Sequence, residues 1–147
     1  MAEAESDSGM LYKKRIQFGM PKLPPNSTKL VFYLYRTRSE AESGAEFGGT
    51  GFLVGIPSQV VGQGVRHYVY GVTNWHVAID RGFSVIRLNR KDGKPEIIEL
   101  GPEDWVAHPD GDDLAITEYS LALNDETHDC IAMPTDQFIS ERHLELP

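Results

Sequence analysis

No stretch of roughly 10–12 residues in this chain carries the apolar period of a helix. Apolar residues come instead in short runs, rich in β-branched and aromatic side chains and separated by turn residues. Residues 30–35 (Leu-Val-Phe-Tyr-Leu-Tyr) form the first run. Residues 49–56 form the second, with glycines where backbones can approach closely. Further strands are predicted over 66–73, 83–88, 95–100 and 114–119, with an additional segment starting at 104–107. Residues 37–48 and 57–64 read as loops. Residues 89–94, centred on Asp92-Gly93, carry a hairpin signal. Six short strands separated by turns predict an all-β antiparallel barrel or sandwich. Closure into a small barrel would remove exposed edges.

Length and charge narrow the function classes. At 147 residues the chain fits one domain. Lys plus Arg number 14 against 22 for Asp plus Glu, a net charge of −8. That balance excludes a general nucleic-acid binder, which needs a basic face to release counterions, and adsorption to anionic membranes. No apolar run approaches the roughly 18–20 residues that span a bilayer. The first residues are acidic where a secretory signal is basic. The single cysteine, Cys130, forbids an internal disulfide and a multi-cysteine zinc site. A soluble, cytoplasmic protein is expected. Residues 1–28, with Pro21, Pro24 and Pro25, read as a flexible Pro-rich leader, and 29–147 as the folded domain.

Three local signals bear on chemistry. Residues 73–78 (Thr-Asn-Trp-His-Val-Ala) place His76 directly after an apolar strand. Residues 108–116 place an acidic turn, Asp110, Asp112 and Asp113, before another. Residues 49–54 (Gly-Thr-Gly-Phe-Leu-Val) open a strand on two glycines. Each alone is ordinary: a partly buried histidine, a solvated turn, a close-packed strand. Together they suit a histidine base oriented by a carboxylate, which needs the acid close and shielded. Asp113 opens a buried-looking strand and is expected to point inward, whereas Asp110 and Asp112 stay in water.

In this order the motifs resemble the N-terminal half of the trypsin-like (chymotrypsin-fold) serine peptidases. Residues 49–54 are similar to that family's Gly-Ser/Thr-Gly-Phe strand, 72–78 to its Thr-x-x-His motif and 113–116 to its Asp-Leu-Ala-Ile motif. The resemblance spans about residues 30–120. It implies a six-stranded antiparallel Greek-key β-barrel, the first of two, with His76 as general base and Asp113 as its orienting acid. It implies a polypeptide substrate, no cofactor, and a second β-barrel carrying the serine. The fairly apolar residues after Phe138 then read as the start of an inter-barrel linker.

The chain departs from that family in three ways. Trp75 stands where a small residue commonly precedes the histidine. The disulfide bracketing the histidine in secreted members has no cysteines to form it. None of the nine serines lies in a Gly-x-Ser-Gly element. Only Ser8 and Ser43 precede a glycine, and neither has the glycine two residues earlier. Cys130 lacks flanking glycines and reads as a half-buried thiol rather than a nucleophile. His76, His108, Asp110, Asp112 and Asp113 are possible metal ligands but lack a metal-site spacing. These 147 residues alone are therefore expected to show no serine-peptidase turnover. The alternative is a non-catalytic barrel that binds a protein partner, its His–Asp pair being structural.

Overall fold

A computed structural model describes residues 26–138 apart from Val61 and Gln63. Most of the proposed leader and residues 139–147 of the proposed linker lie outside these residues. A 3-10 turn over Ser27–Leu30 leads into β1 (Val31–Tyr35). There follow β2 (Gly49–Val60), β3 (Gly64–Thr73), β4 (Val85–Asn89), β5 (Pro95–Ile98), β6 (Trp105–Ala107), β7 (Ala115–Thr117) and β8 (Met133–Pro134). Seven strands follow the order β5-β4-β1-β2-β3-β7-β6, every neighbour antiparallel, while β8 pairs with β2 in parallel. The molecule is mostly β, a curled antiparallel half-barrel with few helices.

The count of six strands is corrected by this topology. The segment at 104–107 is a strand of its own, β6, because a 3-10 turn over Pro102–Asp104 separates it from β5. That turn is pinned by the Asp104 carboxylate, which accepts the Gly101 N–H at 2.7 Å. The 57–64 connection is also corrected. The β2–β3 ladder runs unbroken from Phe52↔Val72 to Val60↔Gly64, so most of those residues are strand. The 37–48 loop holds a helix, α1 (Arg38–Ser43). Thr37 and Glu40 form a reciprocal capping box, and Gly44 ends the helix at φ 72°. α1 buries Ala41 against Tyr35 and Val85. The expected turn at Asp92-Gly93 is present, with Gly93 at φ 81° and the Asp92 carboxylate accepting the Lys94 N–H at 3.0 Å.

Alternation along the strands builds the core. Phe32 and Leu34 of β1, Leu53 of β2, Ile86 and Leu88 of β4 and Trp105 of β6 all point to the inner side. Burying each such side chain is worth about 1.5–3 kcal/mol relative to leaving it in water. The Phe32 ring occupies space that side chains on β2 and β3 would otherwise take. A Cβ at Gly51 would lie 2.3 Å from Phe32 Cζ, and one at Gly71 would lie 3.2 Å from the same atom. The close seat of this ring requires glycine at position 51, while a Cβ at Gly71 would be tight.

Candidate active site

β3 ends at Thr73, whose buried hydroxyl donates to the Thr50 carbonyl at 2.8 Å. The chain then turns sharply. The Asn74 carbonyl accepts the N–H groups of Val77 at 3.1 Å and Ala78 at 3.2 Å. A π-helical turn over His76–Asp80 follows, with Val77 and Ala78 buried beneath it. Gly49 makes that burial possible: a Cβ there would lie 2.6 Å from Val77 Cγ1. The first glycine of the 49–54 motif thus lets the histidine turn seat against β2.

Asp113 arrives from the other direction. β7 pairs with β3 through Thr73↔Ala115 and Val72↔Ile116. Continued past the paired residues, this register brings Asp113 alongside the histidine turn. The turn before β7 is closed by the His108 N–H donating to the Leu114 carbonyl at 2.9 Å, with Gly111 at φ 83°.

The Asp113 carboxylate holds His76 at two points, one on its backbone and one on its ring. The His76 backbone N–H donates to Asp113 Oδ1 at 2.9 Å, and His76 Nδ1 lies 2.6 Å from Asp113 Oδ2. Asn74 Nδ2 donates to the Asp113 carbonyl at 3.1 Å and to Oδ2 at 3.3 Å. These donors hold the Asp113 carboxyl below the ordinary carboxylate range. The His76 backbone N–H is the largest cause, partial burial opposes it, and the His76 ring and the Asn74 amide add to it. An ionised carboxylate only accepts, so His76 Nδ1 carries the proton and Nε2 keeps its lone pair. The side chains are 41% exposed for His76 and 49% for Asp113, so the pair lies open to an incoming group.

The structure brings together the two residues the sequence singled out, with one correction. Asp113 does not point into the core. β7 begins only at Ala115, so Asp113 sits on the rim of the sheet and not on its inner face. Asp110 and Asp112 are exposed, as expected. His108 Nδ1 lies 3.6 Å from Asp112 Oδ2, apart from the His76 pair. Among the described residues no group of three or more His, Cys, Asp or Glu side chains is arranged to hold a metal ion. Ser43 donates its hydroxyl to the Glu40 carbonyl on α1, and Ser120 accepts the Val69 N–H. Neither bonds His76, and Ser8 lies outside the described residues. Cys130 is half-buried, and burial, with Asp125 and Asp129 nearby, pushes its thiol above the ordinary range.

Sequence reasoning did not find two polar groups. Asn74 was read only as part of the histidine motif. His128 is buried, its Nδ1 2.9 Å from the Asn124 N–H and its Nε2 3.6 Å from Glu96 Oε2. Its Nδ1 closes the 124–128 turn on itself, its buried Nε2 has no hydrogen-bond partner among the described residues, and its sequence context, a polar stretch, gave no sign of burial. Against known proteins, no family model, no curated protein and no solved structure matches the chain.

Proposed function

We propose that this chain is the His- and Asp-bearing half of a trypsin-like serine endopeptidase. The observation that carries the proposal is the two-point grip of Asp113 on His76, through the backbone N–H at 2.9 Å and the ring Nδ1 at 2.6 Å. A carboxylate so held fixes both the tautomer and the plane of the imidazole, which is what a general base for a hydroxyl nucleophile needs. The strand order supports the same reading. β4-β1-β2-β3 is the order of a Greek key, in which a fourth strand returns beside the first. β5 and β6 end the order on opposite sides yet are separated in the chain only by residues 99–104. Read as two parts of one broken strand, they make six strands of the seven.

In this mechanism a serine carried by a second barrel, outside residues 1–147, attacks the carbonyl carbon of a peptide bond. Its proton passes to His76 Nε2, while Asp113 stabilises the imidazolium through Nδ1–H. His76 returns that proton to the leaving amine, and an acyl-enzyme remains for water to hydrolyse. The second barrel also supplies the oxyanion hole and the specificity pocket. A reducing, cytoplasmic setting fits a chain with a single cysteine.

The second reading, a partner-binding barrel without turnover, is favoured by the apolar side chains beside the pair. Trp75 is 39% exposed and Leu114 is 41% exposed. A serine-directed phosphonate probe separates the two. The peptidase reading expects labelling of the serine-bearing protein outside residues 1–147, abolished by His76→Ala, and none of this chain alone. Native protein from its source that stays unlabelled, and a chain that instead retains a protein partner, would establish the binding module.

A further inference from the structure

We infer that Asn74 is a positioning residue that holds both members of the pair in register. This deepens the proposed peptidase function and rests on it for its catalytic consequence.

Asn74 touches each partner separately. Its carbonyl accepts the Val77 and Ala78 N–H groups at 3.1 and 3.2 Å, which fixes the turn carrying His76. Its side-chain amide donates to the Asp113 carbonyl at 3.1 Å and to Asp113 Oδ2 at 3.3 Å. The amide orientation follows from chemistry. Both neighbours on Asp113 are acceptors, so the NH₂ group and not the amide oxygen must face them. Oδ2 therefore receives Asn74 and His76 Nδ1 together, while Oδ1 receives the His76 backbone N–H. With both oxygens engaged, the carboxylate cannot rotate about its Cβ–Cγ bond without breaking a charge-assisted bond.

The need for such a clamp follows from where Asp113 lies. Only two residue pairs, Val72↔Ile116 and Thr73↔Ala115, join β7 to β3, and the paired residues stop two short of Asp113. The bond from Asn74 to the Asp113 carbonyl carries the contact between the two strands past the last paired residue. It does so with a side chain where the backbone of the histidine turn has left the sheet. Asp113 is half-exposed and reached by a loop, so water competes for its oxygens. A local donor on the histidine's own turn favours the productive geometry over that competition. Asn74 does not touch the Nε2 side of the ring in any contact described, so its part is orientation and not proton transfer.

The test replaces Asn74 by Leu, of similar size without donors, and by Ala. It uses the 147-residue chain with His76 labelled with ¹⁵N and Asp113 with ¹³C. In the wild type the Nδ1–H tautomer is expected to dominate in the neutral His76 ring, and the Asp113 carboxyl to titrate below the ordinary range. In N74L and N74A the Nε2–H fraction is expected to rise several-fold and the Asp113 midpoint to move up, since a donor to the charged form is gone. Thermal stability is expected to change little for an exposed side chain. A tautomer ratio and Asp113 midpoint that stay at wild-type values in either folded variant overturn the proposal. So does loss of the fold in both variants, which would make Asn74 a folding residue.

A second arm uses the serine-bearing protein. There N74L is expected to lower kcat about tenfold at unchanged KM, the size of one charge-assisted hydrogen bond. Unchanged kcat overturns the catalytic part. A wild-type protein with no serine-dependent turnover instead refutes the peptidase reading, and the tautomer measurement still decides the role of Asn74.

Discussion

Two glycines on one strand give a direct test of how this sheet is packed. At Gly51 of β2 an added Cβ would lie 2.3 Å from Phe32 Cζ and 2.5 Å from the Val72 carbonyl oxygen. Carbon atoms in contact sit about 3.5–4 Å apart. The ring would have to retreat by more than about 1 Å, yet Phe32 is fully buried and the Val72 oxygen belongs to the backbone of β3. Overpacking of this kind costs about 1–3 kcal/mol, and an obstructing backbone puts Gly51→Ala near 3. At Gly55, four residues along, the added Cβ meets Ala132 Cβ at 3.5 Å and His67 Cδ2 at 3.8 Å, ordinary contacts. Gly55→Ala should therefore be neutral, or more stable by about 0.5 kcal/mol through the less flexible unfolded chain. Chain-entropy effects are the same at both sites and cancel, so the gap of about 3 kcal/mol isolates packing. With a urea slope of about 1.5 kcal/mol/M, the unfolding midpoints should differ by about 2 M. Equal midpoints for the two variants would refute the account of Phe32 seated over glycine.

Other expected outcomes concern the site and its surroundings. Asp113→Asn keeps an oxygen for the His76 backbone N–H but turns an NH₂ toward Nδ1, so ¹⁵N NMR should show the ring switching to the Nε2–H tautomer. In the serine-bearing protein the same change should cost roughly 10⁴-fold in kcat, as expected when a base holds the wrong tautomer. Asp113 and Asp92 both have lowered pKa values in the folded chain, chiefly through the backbone N–H groups of His76 and Lys94 respectively. Their stabilisation is present above the unfolded carboxylate range and lost as pH falls through the folded values. Urea midpoints should therefore hold from neutrality to about pH 5 and fall below about pH 4, less steeply in Asp113→Asn. Burial raises the Cys130 thiol, so iodoacetamide should modify it more slowly at pH 8 in the folded chain than in urea.

The strands were legible because most follow simple alternation or end on strong turn residues. Residues 30–35 were legible as a strand by composition, but which residues face inward, Phe32 and Leu34 rather than Val31 and Tyr33, is not readable from an all-apolar run. The Asp92-Gly93 turn needs one positive φ and one carboxylate, and both are visible as letters. α1 was not legible. It is six residues long and buries only Ala41, too little for any periodic signal, although Thr37 and Glu40 carried its capping box. β8 is two residues paired in parallel, a contact that depends wholly on where the rest of the chain lies. His76 and Asp113 were legible as types in order, and the register of β7 on β3 brings them together. The exposure of Asp113 was not, because it depends on β7 starting one residue later than the apolar pattern does.

The pairing of β7 with β3 has a consequence for the order in which the molecule takes shape. β2 and β3 pair at nine consecutive positions and are neighbours in the chain, whereas β7 meets β3 at two positions some forty residues apart in the chain. Closing the short hairpin loses little chain entropy, and closing the distant one loses more. The β2–β3 ribbon is thus expected to form as the scaffold, on which the β6–β7 unit docks later through a two-position contact. His76 rides on the scaffold and Asp113 on the late piece. The pair therefore exists only while that seam is shut, and the histidine loses its orienting acid through a local opening that leaves the ribbon intact.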